Sequence, residues 1–278
     1  MNLNRILTTV IGLPIVIIVF IFGNIYLMDI LFTIIAAMSL HEYFDAFKEK
    51  AKPVYWLGYL ACFLISLIHI VPRQYIIITI GILVPTSILL LFLQVIISNM
   101  KTTIKDIAIT LFGICYIPLF LMYIPLLMGT ENGKLLVWFV IISAWGTDIF
   151  AYIVGKTMGK HKFSKISPNK SIEGCVGGTI GAIILTLVYT LVINTYLGMN
   201  INYLYIGLIA CFLSVIGQFG DFSASSIKRY VGIKDFSNLL PGHGGMLDRI
   251  DSLIFIAPFA YFLLNLLWWR KCTCLLLL

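Results

Sequence analysis

Asp221, Ser225 and Lys228 stand at i, i+4 and i+7 in an otherwise oily chain, and Asp248 and Asp251 stand at i, i+3 further along. On a continuing helix the first three share a face, presenting a carboxylate, a hydroxyl and an ammonium together; the last two share a face at the start of the final apolar helix. Three carboxylates can therefore converge. Oxygen donors of this kind suit a hard divalent cation such as magnesium, which usually takes one or two carboxylates and is completed by water and substrate phosphates. Between the two groups lies Pro241-Gly242-His243-Gly244-Gly245, where the lack of a Cβ lets backbone amides approach a phosphate closely. Lys228, Arg229, Lys234 and Arg249 add positive charge for several anionic oxygens. Together these side chains suit a polyphosphate held through a metal ion.

The segment Asp221 to Asp251 opens at the end of one apolar run and closes at the start of the next, which fixes both its ends at a membrane surface. It is long for a simple connection. A mixed-charge loop is ordinarily a solvated linker, but that account leaves the glycines, the histidine and the paired aspartates without a purpose. The pattern S-x-x-K-R-x(4)-K-D-x-x-x-x-L-P-G-H-G-G-x-x-D-R-x-D, carried by Ser225, Lys228, Arg229, Lys234, Asp235, Leu240 to Gly245, Asp248, Arg249 and Asp251, resembles the signature of the phosphatidate cytidylyltransferases. That resemblance implies that CTP and phosphatidic acid react to give CDP-diacylglycerol and pyrophosphate. It further implies that Asp221, Asp248 and Asp251 hold Mg2+, with a second cation in the same cluster. Lys228 and Arg229 then neutralise the triphosphate, and His243 with the amides of Gly244 and Gly245 orients a phosphate. Ser225, Lys234 and Arg249 become substrate contacts.

A second polar stretch runs from Asp148 to Gly178. Gly155-Lys156-Thr157 invites a P-loop reading, but that motif needs a glycine where Phe150 stands. The run D-x-x-A-Y-x-x-G-K-x-x-G-K, followed by S-P-x-K-S-x-E-G-x-x-G-G, instead resembles the same family, with Ser171 where the family often has threonine. Asp148, Lys156 and Lys170 are substrate-binding candidates on that basis. Asp148 falls inside an apolar run, where a carboxylate is costly and is a functional candidate by default. The competing account is a structural pairing with Lys156, Ser143 or Thr147. Ser167-Pro168 reads as a turn, and Gly174, Gly177 and Gly178 as close helix packing.

These residues need a scaffold, and the composition supplies one. The chain has 278 residues, 60% hydrophobic and 11% charged, and its mean hydropathy of +1.03 is far from that of a soluble domain. The expected fold is all-α, a polytopic membrane protein of about nine helices at roughly 6–23, 25–44, 54–71, 75–98, 107–128, 134–155, 174–197, 203–220 and 251–269. Residues 1–130 would form an N-terminal helical region and 131–278 the catalytic region. The first span reads as retained rather than as a cleaved signal. Pro85, Pro118 and Pro125 should kink their helices. His41 and Glu42, at the end of the second span, read as a snorkelling or helix-end pair rather than as substrate contacts.

With nine spans, all but four of the 19 lysines and arginines fall on the side of the N-terminus and of the signature segment. Such an excess marks the cytoplasmic side, so the expected location is the cell inner (plasma) membrane with the active site facing the cytoplasm. The net charge of +7 is then a topology signal with some attraction to anionic lipid, and not a sign of nucleic-acid binding. None of the six cysteines shows zinc-ligand spacing, and the KCTCLLLL tail is not a prenylation box. The family resemblance implies a homodimer. Alternatives are a CTP-dependent polyprenol kinase, which releases CDP, and a non-enzymatic transporter, whose ionisable groups would be spread through many spans instead of clustering at one face. The D-G-x-x-A-R signature of the CDP-alcohol phosphotransferases is absent.

Overall fold

The computed structural model describes residues 17–164, 167–168, 170–239, 242 and 244–274, without the side chains of 69, 73, 77 and 266–274. The regular elements among those residues are helices, with an isolated antiparallel bridge between Lys162 and Ser171. Six helices among them are long and apolar enough to cross a membrane: Ile25–Phe47, Ile78–Ile97, Ile104–Met128, Gly133–Met158, Ile172–Leu197 and Tyr203–Val231. The all-α membrane architecture stands, and the count of nine is not reproduced. The expected first span lies mostly outside the described residues. The third is a helix of only 12 residues, Tyr55–Ser66, ending in a 3-10 turn at Leu67–Ile70.

By its internal contacts the chain divides into two units, Met1–Gly129 with Lys228–Ile250, and Thr130–Ile227 with Asp251–Leu278. In the first unit, α1 (Ile25–Phe47) starts at Asn24, whose side chain accepts from Leu27 N at 2.9 Å. Leu40, Tyr43 and Phe44 on α1 are almost completely buried. They pack where α2 (Tyr55–Ser66) and α4 (Ile104–Tyr116) carry glycines. A Cβ on Gly58 would come within 2.6 Å of the Phe44 ring, and one on Gly113 within 2.8 Å of the Tyr43 ring. The connection before α2 is tied to α4 by Asp106 and Thr110. Asp106 accepts from Lys52 N at 2.5 Å while closing a capping box with Thr103, and Thr110 Oγ1 accepts from Val54 N at 2.9 Å. After α4, Pro118 and Pro125 split the apolar run into α5 (Pro118–Leu121) and α6 (Tyr123–Met128), because a proline cannot donate to the helical ladder. The remaining helix, α3 (Ile76–Ile97), holds Pro85 in its interior and exposes Ile78, Ile82, Leu89, Phe92 and Ile96, as a lipid-facing helix does.

The second unit is built on α7 (Gly133–Met158) and α8 (Ile172–Leu197), which approach at glycines. A Cβ on Gly174 would lie 2.9 Å from Ala151 O, and one on Gly178 would lie 2.7 Å from Thr147 O. Without a hydrophobic drive between helices in lipid, such small residues let backbones meet. Next come α9 (Tyr203–Val231) and α10 (Leu247–Cys274), whose last and first turns respectively fall in the first unit. A buried polar cluster joins three of these helices: Ser214 Oγ lies 2.8 Å from Thr147 Oγ1 and 3.2 Å from Thr179 Oγ1, and Gln218 donates to Thr179 Oγ1 at 3.0 Å and to Cys175 O at 3.1 Å.

Candidate functional site

The signature residues of the first unit are organised by two buried carboxylates. Asp248, in the first turn of α10, receives Lys228 Nζ on Oδ1 at 2.6 Å, with side chains only 11% (Lys228) and 3% (Asp248) exposed. Its other oxygen accepts from Phe236 N at 2.9 Å and Gly245 N at 3.0 Å. Lys228 also sits 5.5 Å over the Phe236 ring. The second carboxylate is Glu42 on α1, which accepts from Ser237 Oγ at 2.5 Å, Met246 N at 2.9 Å and Leu247 N at 2.8 Å. At 5% exposure it does not snorkel; it caps the start of α10.

The glycines of the signature are dictated by these two groups. Gly244 has a left-handed φ of +83°, and a Cβ there would lie 3.1 Å from Asp248 Oδ2. One on Gly245 would lie 2.5 Å from Glu42 Oε2. Gly245 is buried and its N–H is taken by Asp248, so this amide serves that carboxylate. Arg229, Lys234 and Arg249 are exposed. His243, with Leu240 and Pro241, lies outside the described residues.

In the second unit Asp221 is paired with Lys170, both about a quarter exposed. Ser225 Oγ is 3.4 Å from Asp221 Oδ1, the one-turn relationship that their spacing predicts. Lys170 ends a small hairpin, in which Phe163 N donates to Lys170 O at 3.1 Å and Lys170 N to Ser167 O at 3.1 Å. The hairpin is held to α9 by Phe163, stacked on Phe222 with centroids 4.6 Å apart, and by the Lys170 ammonium 4.4 Å over the same ring. Its base is secured by Glu173, which accepts from Lys160 N and His161 N and meets His161 Nδ1 at 2.6 Å. Asp251 is 8% exposed and its Oδ1 accepts from Ser252 N at 2.8 Å. Gly220, the residue before Asp221, packs so tightly on α10 that a Cβ there would be 2.6 Å from Asp251 O. The backbones that carry Asp221 and Asp251 thus run in contact. Asp148 and Lys156 are exposed on α7, with Lys156 Nζ 5.8 Å over the Tyr152 ring.

Among the described residues no three His, Cys, Asp or Glu side chains are grouped as a metal cage. Two carboxylates are faced instead by an ammonium, Asp221 by Lys170 and Asp248 by Lys228. The donor set still suits magnesium, because such a cation draws part of its oxygen shell from substrate phosphates and water rather than from a complete protein cage. The sequence suggested Glu42 only as a snorkelling or helix-end residue and did not point to Ser237. The available signal was a carboxylate in an apolar helix, which carries the same desolvation cost as Asp148.

A family model described as the cytidylyltransferase family matches residues 3–267. A phosphatidate cytidylyltransferase of Bacillus subtilis is 42% identical over 179 residues, 64% of this chain and 65% of that protein. One from Thermotoga maritima is 39% identical over 168 residues, 59% and 61% of the two chains. A third, from Staphylococcus saprophyticus, is 40% identical over 186 residues, 66% and 67%. The matched stretch therefore spans a little under two thirds of the first two relatives. With nearly its whole length matched by the family model, and with the signature from Ser225 to Asp251 within that match, the chain belongs to the cytidylyltransferase family.

Proposed function

We propose that the chain is a phosphatidate cytidylyltransferase, converting CTP and phosphatidic acid to CDP-diacylglycerol and pyrophosphate. The observation that carries this reading is the buried Lys228–Asp248 pair inside the signature, matched by Lys170–Asp221 in the second unit. Both pairs offer an ammonium to an incoming phosphate and a carboxylate that is left available when the ammonium turns to it. The reaction needs that combination. A phosphate monoester is largely dianionic near neutral pH, its second pKa being about 6, so the lipid oxygen that attacks needs no strong base. That oxygen forms a bond to the α-phosphorus of CTP, the bond from that phosphorus to the bridging oxygen breaks, and pyrophosphate leaves with the electron pair. The obstacle is repulsion between two anions and charge growing on the leaving group, which positioned cations relieve.

Lys228 and Arg229 neutralise the triphosphate, Lys170 and Lys156 receive phosphate oxygens, and Ser225 donates to one of them. Gly244, His243, Lys234 and Arg249 line the phosphate path, and Asp148 contacts substrate. Asp221, Asp248 and Asp251 would hold Mg2+, with room in the donor set for a second cation. When bound, the metal supplies charge neutralisation between the two phosphates. All these residues belong to 131–278, the region to which we assign the chemistry. The lysine and arginine asymmetry supports an inner-membrane location with this face toward the cytoplasm. CTP would then arrive from the aqueous side and phosphatidic acid from the bilayer, and the protein would act as a homodimer.

The test is to incubate purified protein with cytidine-labelled CTP and phosphatidic acid, with and without Mg2+. Label should enter the lipid phase with equimolar pyrophosphate, only when Mg2+ is present. Release of CDP with no cytidine in lipid would replace this reading by kinase chemistry.

A further inference from the structure

Glu42 is a buried carboxylate near the end of α1, far in sequence from the signature segment, yet its three hydrogen-bond donors among the described residues come from that segment. Two of them, Met246 N and Leu247 N, belong to the start of α10. The first N–H groups of a helix have no partner within it, and a residue at the cap with a side-chain oxygen usually supplies one. Position 246 is a methionine and cannot do so. Glu42 supplies the missing acceptor from another helix, and its negative charge sits at the positive end of the α10 dipole.

The same turn presents Asp248. Gly245 is gripped on both sides, its N–H bonded to Asp248 Oδ2 at 3.0 Å while the position of its absent Cβ lies 2.5 Å from Glu42 Oε2. Any shift of Glu42 is therefore passed through Gly245 and the first turn of α10 to the Asp248 carboxylate. We propose that Glu42 is a positioning residue for the cytidylyl transfer: it fixes the start of α10 in the register that aims Asp248 at the metal-bound nucleotide, with Ser237 as its auxiliary. This rests on the proposed function for the identity of the reaction, but not for the mechanical claim.

The test compares full-length wild type with Glu42→Gln, Glu42→Asp and Ser237→Ala. Four quantities are measured: thermal midpoint, hydrogen exchange over residues 236–249, Mn2+ affinity in the presence of CTP by electron paramagnetic resonance, and kcat and KM as functions of Mg2+. In Glu42→Gln one of the two acceptor oxygens becomes an NH2 donor, so Met246 N and Leu247 N can no longer each have an oxygen of their own and should exchange at least tenfold faster. Half-saturating Mn2+ and Mg2+ should rise about tenfold and kcat fall by about ten- to a hundredfold, with KM for phosphatidic acid unchanged. Glu42→Asp should recover part of each change, and Ser237→Ala should shift metal affinity a few-fold without altering the fold.

Faster exchange at 246–247 with wild-type metal affinity and kcat would overturn the proposal, leaving Glu42 as packing alone. Unchanged exchange would overturn it as well. If Glu42→Gln does not fold, Glu42→Asp and Ser237→Ala decide the matter by the same criteria. Should the wild type bind Mn2+ and CTP yet make no CDP-diacylglycerol, the proposed function fails, and the exchange and Mn2+ measurements still judge Glu42.

Discussion

Lys228 meets Asp248 at 2.6 Å with both side chains almost out of contact with solvent. In such a place a charge pair is costly to assemble and much costlier to break by halves, since removal of one partner leaves the other buried and uncompensated, at about 3–5 kcal/mol. Such an arrangement is tolerated where the charges are used, which is the role we propose for Lys228 and Asp248 of the signature.

Stability and activity should therefore separate at this pair. Lys228→Met and Asp248→Asn alone should each lower the thermal midpoint strongly, whereas the double substitution should regain much of the loss. All three should turn over at least a hundredfold more slowly than wild type. Thermal unfolding in detergent beside a lipid-incorporation assay reads both quantities. An active double variant would remove the pair from the mechanism.

Lys170 and Asp221 should behave differently. Both are about a quarter exposed, so solvent screens their attraction and its worth to stability is about 0–1 kcal/mol. Lys170→Met should leave the thermal midpoint nearly unchanged while lowering kcat/KM for CTP by about tenfold or more. A variant that keeps full kcat/KM would confine Lys170 to anchoring the hairpin on Phe222.

A residue was legible in the sequence to the extent that its partners lie close to it along the chain. The residues of the signature stand out because charges are rare in so apolar a chain, and the Asp221 to Ser225 relationship is local to one helix turn, so spacing alone predicts it. Lys228 and Asp248 were legible as signature residues but not as partners, because their approach depends on the path of the segment between α9 and α10. Glu42 was hidden for the same reason in stronger form: its donors lie at the other end of the chain, and a lone carboxylate near a helix end looks like one that reaches for water. The expected helix bounds depart from the structure where hydropathy outlasts the helix. The apolar run after Tyr55 continues past Ser66, but the backbone there tightens into a 3-10 turn, and Pro118 and Pro125 break up Ile104–Met128 without lowering its hydropathy. The glycines of α8 were legible as packing positions because their spacing puts them on one face.

Those glycines contrast with Gly207 of α9 in a way that can be measured. A Cβ on Gly178 would be 2.7 Å from Thr147 O, a backbone atom of α7 that moves only if the helices part, and one on Gly181 would be 2.4 Å from the Phe150 Cβ, which no side-chain rotation displaces. One on Gly207 would meet only Leu187 Cδ2, at 3.9 Å. Gly178→Ala and Gly181→Ala should therefore each cost about 1–3 kcal/mol of stability, while Gly207→Ala should leave it unchanged or raise it slightly. Thermal midpoints of the three variants under identical detergent conditions check the contrast. Unchanged midpoints in the first two would mean that α7 and α8 part at these positions at little cost.

Chelation offers the last contrast. In a structural metal site the ligands repel one another once the ion is removed, and the fold weakens. Here Asp221 and Asp248 already have Lys170 and Lys228 as counter-charges, so the protein stripped of metal carries no bare cluster of anions at these two positions. Treatment with EDTA should abolish cytidylyl transfer while shifting the thermal midpoint by only about one or two degrees, the scale of a few tenths of a kcal/mol for a protein of this size. Mn2+, which shares the preference for carboxylate and water ligands, should restore turnover. Ca2+, with its longer and more variable bonds, should compete for the site and support little. A large fall in thermal midpoint on chelation would mean that the metal is part of the fold, and the two lysines would then need another role.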